Sequence, residues 1–339
     1  MSSTRAPWID ALKGWGMVLI VVGHVWSLTD PSPIYQWIYA FHVPLFFFAA
    51  GLTFKERADS TWLVLRRRAP ALLVPYAVFG LLGYAFYASG FAAAQVMGVH
   101  MAQFDYGLLR PLWGLLYGSV GDGLLVNSPL WFIPALLVCT ALVHTINRHV
   151  AQLRWRYAWT LLAFAAGAWI GPLLKLPWGI APALSALIFM QLGLDFKRWS
   201  PALSTPAWLG LAVVLGLVSV FAVSLNGSVN LATPTVNHPL WFLLFAVVGM
   251  GFSVALVQLP QGRPAWLCLI GRHSLSIMVL HMLVIKATKV IVGVLTGQSM
   301  AALESHLGWG LLVLAITSVL LGPMIWWLNR YTPWVWGRS

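Results

Sequence analysis

The sequence predicts an all-α protein, a polytopic membrane helical bundle of about ten transmembrane helices with both termini in the cytoplasm. Three observations predict it. Apolar residues fill 60% of the 339 positions and charged residues only 8%, leaving too little polarity to cover a water-facing surface. Apolar runs of bilayer length, ~20 residues each, recur along the whole chain between Pro, Gly and charge clusters. With the N-terminus inside, fifteen of the twenty Lys and Arg fall in inside segments and two, Arg110 and Lys175, in outside loops. That asymmetry is the one that orients membrane proteins.

The expected spans are 8–28, 35–54, 70–89, 129–146, 157–174, 178–194, 207–224, 239–258, 273–292 and 308–328. The first ends at the turn SLTDPSP and the second at Lys55. The third begins at Pro70, directly after Arg66, Arg67 and Arg68. The stretch 107–119, GLLRPLWGLLYGS, is apolar but short and interrupted by Pro111, so it is expected to lie in or on the membrane without crossing. The fourth span opens at SPLW, and Lys175 with Pro177 separates the fifth from the sixth. Pro206 precedes the seventh, Pro239 opens the eighth, the GRH triplet at 271–273 opens the ninth, and Asn329 and Arg330 close the tenth. Trp8, Trp26, Trp131, Trp178 and Trp241 stand at span edges, as an interfacial aromatic belt requires.

The chain reads as one domain over 1–339, with no internal repeat, appended soluble domain or cleaved signal peptide expected. A net charge of +12 sits in short loops, where it signals topology and anion contacts rather than nucleic-acid binding. Cys139 and Cys268 have neither disulfide nor metal spacing and are expected to pack. Lys286 and Lys289, near the outer end of the ninth span, are expected to snorkel toward the interface.

The first span holds Asp10, Lys13 and His24, which lipid disfavours. At roughly 100° per residue, Lys13 and His24 fall within ~20° of one face, and Asp10 shares it. Counting from the start of the span, Lys13 lies about 8 Å inside and His24 about 24 Å inside. His42, on the returning second span, comes to a similar depth. Taken alone, His42 fits an interhelical hydrogen bond equally well. His281 shares a helical face with Ser274, Ile277 and Met278. A polar stripe through a helical bundle is also what a transporter or flippase would show. Against that alternative, the sequence has no paired broken helices and no duplication.

The motif D-x-L-K-G at 10–14 with His24 after ten intervening residues beyond Lys13, then F-H-x-P-L-F-F-F-x-x-G-L-x-F-K at 41–55, resembles the acyltransferase-3 family of integral membrane acyltransferases. LLVPY at 72–76, SPLWFIPALL at 128–137 and GRHSLSIMVLH at 271–281 continue the likeness in order. Within the family the chain is most similar to the fucose 4-O-acetylase type of bacterial sugar O-acetyltransferases. The resemblance implies a multi-pass protein of the bacterial inner membrane. It would transfer an acetyl group from cytoplasmic acetyl-CoA to a hydroxyl of an exported or envelope glycan or its lipid-linked precursor, with no metal. Acylation of a small metabolite would use the same machinery. The resemblance makes His24 the catalytic histidine and Lys13 its basic companion, with Asp10 orienting Lys13.

An imidazole titrates near neutrality, so His24 is suited to take a hydroxyl proton or to carry the acyl group itself. Arg66, Arg67 and Arg68, together with Lys13, are expected to hold the donor's phosphates, for which planar guanidinium groups are suited. His42, Asn127, Trp131 and His281 are expected to meet the acceptor.

Overall fold

The computed structural model describes residues 6–26, 32–56, 58–120, 124, 127–174, 176–199, 201–221, 223–233 and 235–337. Arg5, Arg57, Lys175 and Arg338 of the charge asymmetry lie outside them, as does most of the turn after the first span. The described residues form α1 (Pro7–Val25), α2 (Pro33–Thr53), α3 (Thr61–Met97), α4 (Leu109–Tyr117), α5 (Phe132–His149), α6 (Leu153–Ala165) and α7 (Ile180–Trp199). Then come α8 (Thr205–Phe221), α9 (Val223–Asn226), α10 (Pro239–Gln258), α11 (Ala265–Arg272), α12 (Ser274–Thr296), α13 (Met300–Ser305) and α14 (Leu307–Tyr331). Extended structure among the described residues is confined to a hairpin pairing Val229–Asn230 with Thr235–Val236.

Every expected span coincides with a helix, and the molecule is a polytopic helical membrane bundle. Among the described residues seven helices are long and apolar enough to cross a membrane: α1, α3, α5 with its leading turn, α7 with its leading turn, α10, α12 and α14. Of the remaining three, α2 runs for 21 residues, α6 continues into a π-turn at Ala166–Ile170, and α8 has 17 residues. The 107–119 stretch contributes only the nine-residue α4.

Local chemistry sets the ends. The Ser32 hydroxyl accepts the Tyr35 N–H at 3.3 Å and Pro33 occupies the first turn of α2, while Ser60 caps α3 in the same way through Leu63. Gly98 closes α3 at φ +63°, a left-handed conformation that glycine adopts without strain.

Two boundaries differ from expectation. Pro70 does not open the third span: α3 begins nine residues earlier and carries both Pro70 and Pro75 within a helix of 37 residues. The ninth span is preceded by the short α11, set off from α12 at His273.

Packing is closest at two helix crossings made by glycine. A Cβ on Gly51 would lie 2.1 Å from Met190 O and one on Gly193 2.0 Å from Phe48 O, which locks α2 on α7. Likewise a Cβ on Gly14 would lie 2.0 Å from Leu267 O and one on Gly271 1.7 Å from Asp10 O, so α1 and α11 touch backbone to backbone. Helix α1 therefore sits in the middle of the bundle, against α2, α10, α11, α12 and α14. Phe47, Phe189 and Phe242 are fully buried, whereas Leu240, Leu295 and Val319 point outward, as lipid-facing positions do.

Candidate active site

The polar stripe of α1 is divided between two environments. Asp10 is buried at the α1–α11 crossing, where its backbone carbonyl faces Gly271. Lys13 is half-buried one turn further on. His24 stands in the last turn of α1 and is half-buried.

Around His24 the fold gathers the other two histidines. The ring of His281, from α12, lies 5.2 Å from that of His24 between centroids. His42 reaches the group through Tyr39, whose ring it meets edge-on at 4.5 Å. The Tyr39 hydroxyl and His24 Nδ1 are 3.3 Å apart, and Tyr35 stacks on Tyr39 at 3.8 Å. His42 and His281 are both buried, and each holds its Nδ1 at 2.9 Å from the carbonyl four residues earlier, Ile38 and Ile277 respectively. Nε2 of His281 is buried without a hydrogen-bond partner. Among the described residues no three His, Cys, Asp or Glu side chains are grouped so as to hold a metal ion.

Asn127 lies close by, because its side-chain amide donates to the Val279 carbonyl of α12 at 2.8 Å. Its Oδ1 is buried and open. Trp131 is 7% exposed and packs edge-on to Phe132 within the core, so it presents little face for a sugar to stack on.

Lys289 is buried and donates to Glu304 at 3.0 Å, and both it and Lys286 lie within electrostatic range of His24. Glu304, on α13, supplies the opposite charge that a buried ammonium requires.

A cavity of about 550 Å³ runs beside α1 between α11, α12 and α14. Its lining is mainly apolar. Val21, Val22 and Ile277 are at one end, next to the turns that hold His24 and His281, and His273 and Asn329 are at the other. Along α14 it extends from Leu314 to Asn329, a rise of about 22 Å.

The basic end of the bundle is assembled around residues 54–59. Arg67 is paired with Asp59, Arg148 donates to the Ala58 carbonyl, Lys197 to the Phe54 carbonyl and Arg198 to Glu56. Arg66, Arg67 and Arg68 lie inside α3 rather than in a loop, so successive side chains point ~100° apart. Arg66 is exposed, Arg67 faces Asp59, and Arg68 lies over the Phe54 ring at 4.7 Å. They do not form one shared grip.

Tyr39 and Glu304 are the members of the site that sequence patterning passed over. Tyr35, Tyr39 and His42 do recur at spacings of four and three on one helical face, a signal that was available. Glu304 had none, because its pairing with Lys289 joins two helices.

A model of the acyltransferase-3 family, described as an acyltransferase domain, matches residues 6–333. No curated protein and no solved structure matches the chain. The match spans all three histidines, Lys13 and the arginines of α3, and the chain belongs to the acyltransferase-3 family of integral membrane acyltransferases.

Proposed function

We propose that the protein moves an acetyl group from acetyl-CoA, entering from the cytoplasmic side, to a hydroxyl of an envelope or exported glycan or its lipid-linked precursor. In this reading it is a sugar O-acetyltransferase of the bacterial inner membrane, of the fucose 4-O-acetylase type, and its basic end faces the cytoplasm. His24 is the reacting residue, as general base or as acyl carrier. His281, His42 and Asn127 face the acceptor.

The observation that supports this most is the approach of the long cavity to the histidines. Its far end opens beside His273 and Asn329, whose sequence neighbours are Arg272 and Arg330, at the basic end of the bundle. Its near end reaches Val21 and Ile277, within one turn of His24 and His281. An extended acyl-thioester arm is suited to lie along such a cavity, with its phosphates toward the cations at one end and its thioester toward the turns of His24 and His281, which the lining stops just short of. Lys13, half-buried on the same stripe, is suited to the donor's charge. It sits about 16 Å below His24, too far to act on the same atom.

The test is transfer of label from [acetyl-¹⁴C]acetyl-CoA by the protein in lipid nanodiscs, together with mass spectrometry of surface glycan from cells with and without it. Label on glycan, and an acetyl mass increment only in cells that make the protein, is the expected result. Label on neither glycan nor lipid-linked sugar would overturn the acceptor assignment, and uptake of solute without transfer would favour a transporter.

A further inference from the structure

The hydrogen bonds of the histidine cluster sort its tautomers. A backbone carbonyl only accepts, so the 2.9 Å contacts to Ile38 and Ile277 require His42 and His281 to carry their protons on Nδ1. Nε2 of each neutral ring is then a lone pair. In His281 that lone pair is buried, without a partner, and belongs to the ring 5.2 Å from His24. A lone pair is satisfied only by a donor, such as the O–H of an acceptor alcohol or a protonated His24.

His24 has no carbonyl to fix it. Its Nδ1 faces the Tyr39 hydroxyl at 3.3 Å, and a phenol either donates or accepts. Tyr39 in turn has Tyr35 stacked on it, with ring centroids 3.8 Å apart. The Tyr39 oxygen can therefore accept a hydrogen bond from the Nδ1–H of His24 while keeping its own proton.

We infer that Tyr39 is the positioning residue for His24: it accepts the Nδ1–H and leaves the Nε2 lone pair free for the reacting group. This rests on the acyl-transfer reading above. It serves both forms of that chemistry, because Nε2 needs its lone pair whether it takes the acceptor's O–H proton or attacks the thioester carbonyl. The arrangement follows the logic by which an orienting acceptor on Nδ1 fixes a catalytic histidine elsewhere, with a phenol in place of a carboxylate.

The test is ¹⁵N-imidazole NMR of histidine-labelled protein in nanodiscs, read beside kinetics of Tyr39→Phe. That variant removes one oxygen and keeps the ring against Tyr35 and His42. The wild-type protein is expected to show Nδ1–H and an unprotonated Nε2 for His24, His42 and His281 alike. In Tyr39→Phe only His24 is expected to shift toward a tautomer mixture, with kcat lower by roughly tenfold and the acetyl-CoA KM unchanged. A wild-type His24 protonated on Nε2, or a Tyr39→Phe protein with unchanged kcat and unchanged His24 resonances, would overturn the inference. If the resonances behave as expected while the wild-type protein transfers no acetyl group, the donor reading fails and the positioning role stands.

Discussion

Two polar regions lie within this apolar bundle, and they are built in opposite ways. At the basic end, Asp195 accepts from Tyr157 at 3.0 Å, Gln191 at 2.8 Å and Arg198 at 2.7 Å. Gln191 accepts from Asn147 at 2.6 Å, and Arg198 continues to Glu56. These bonds tie α5, α6, α7 and the end of α2 together, and none of their atoms is among the buried groups left without a partner. At the other end, His281 Nε2 and Asn127 Oδ1 are buried and open. A saturated network holds helices in place, whereas an unsaturated one keeps bonding capacity for something that arrives, at a cost of about 1–3 kcal/mol per open group.

Substitution should separate these two roles. His24→Ala is expected to give the largest effect on chemistry, lowering acetyl transfer by on the order of 10²–10⁴-fold, the usual worth of a positioned acid–base group. Thermal unfolding in detergent should hardly move, because among the described residues the half-buried His24 side chain hydrogen-bonds to Tyr39 alone. Unchanged transfer would remove His24 from the reaction and leave the contrast between the two ends without content.

Asp195→Ala should do the reverse. Tyr157, Gln191 and Arg198 lose their common acceptor, and the protein is expected to lose about 1–3 kcal/mol of stability, while the folded fraction keeps its kcat. The measurements are the unfolding midpoint and the rate per folded molecule. A large fall in kcat at unchanged stability would show that the saturated network also serves the reaction.

Much of this was legible in the sequence, for reasons that also explain where legibility stopped. The stripe Asp10–Lys13–His24 lies within one helix, so a fixed rotation per residue suffices to find it. The all-α membrane fold follows from apolar run length, which a bilayer sets directly. Residues 265–272 carry no legible helix signal because α11 is eight residues long, too short to show a period. Pro70 reads as a boundary because proline removes a backbone donor, yet α3 passes through it, so the arginines before it stand on a helix rather than in a loop. The burial of Lys289 depends on its pairing with Glu304, fifteen residues on in another helix. Pairings of that kind are decided by tertiary packing.

The arginines of α3 give the smallest and most discriminating test, because they ask whether the basic end has any part in the chemistry. Consecutive helical positions put Arg66, Arg67 and Arg68 on three different faces, so a phosphate cannot be gripped equally by all of them. Arg67 already spends its charge on Asp59, an exposed pair of the kind worth about 0.2–1 kcal/mol. Arg66 is exposed on the neighbouring face. If the donor's phosphates rest here, Arg66→Gln should raise the acetyl-CoA KM roughly two- to fivefold, within the ~1 kcal/mol expected of a solvated charge, and Arg67→Gln should raise it less. Neither variant should change kcat if, as proposed, the acyl carbon reacts beside His24 at the other end of the bundle. Equal and negligible KM shifts would restrict these arginines to fixing the orientation of the chain, and donor binding would then depend on Lys13 and the far mouth of the cavity.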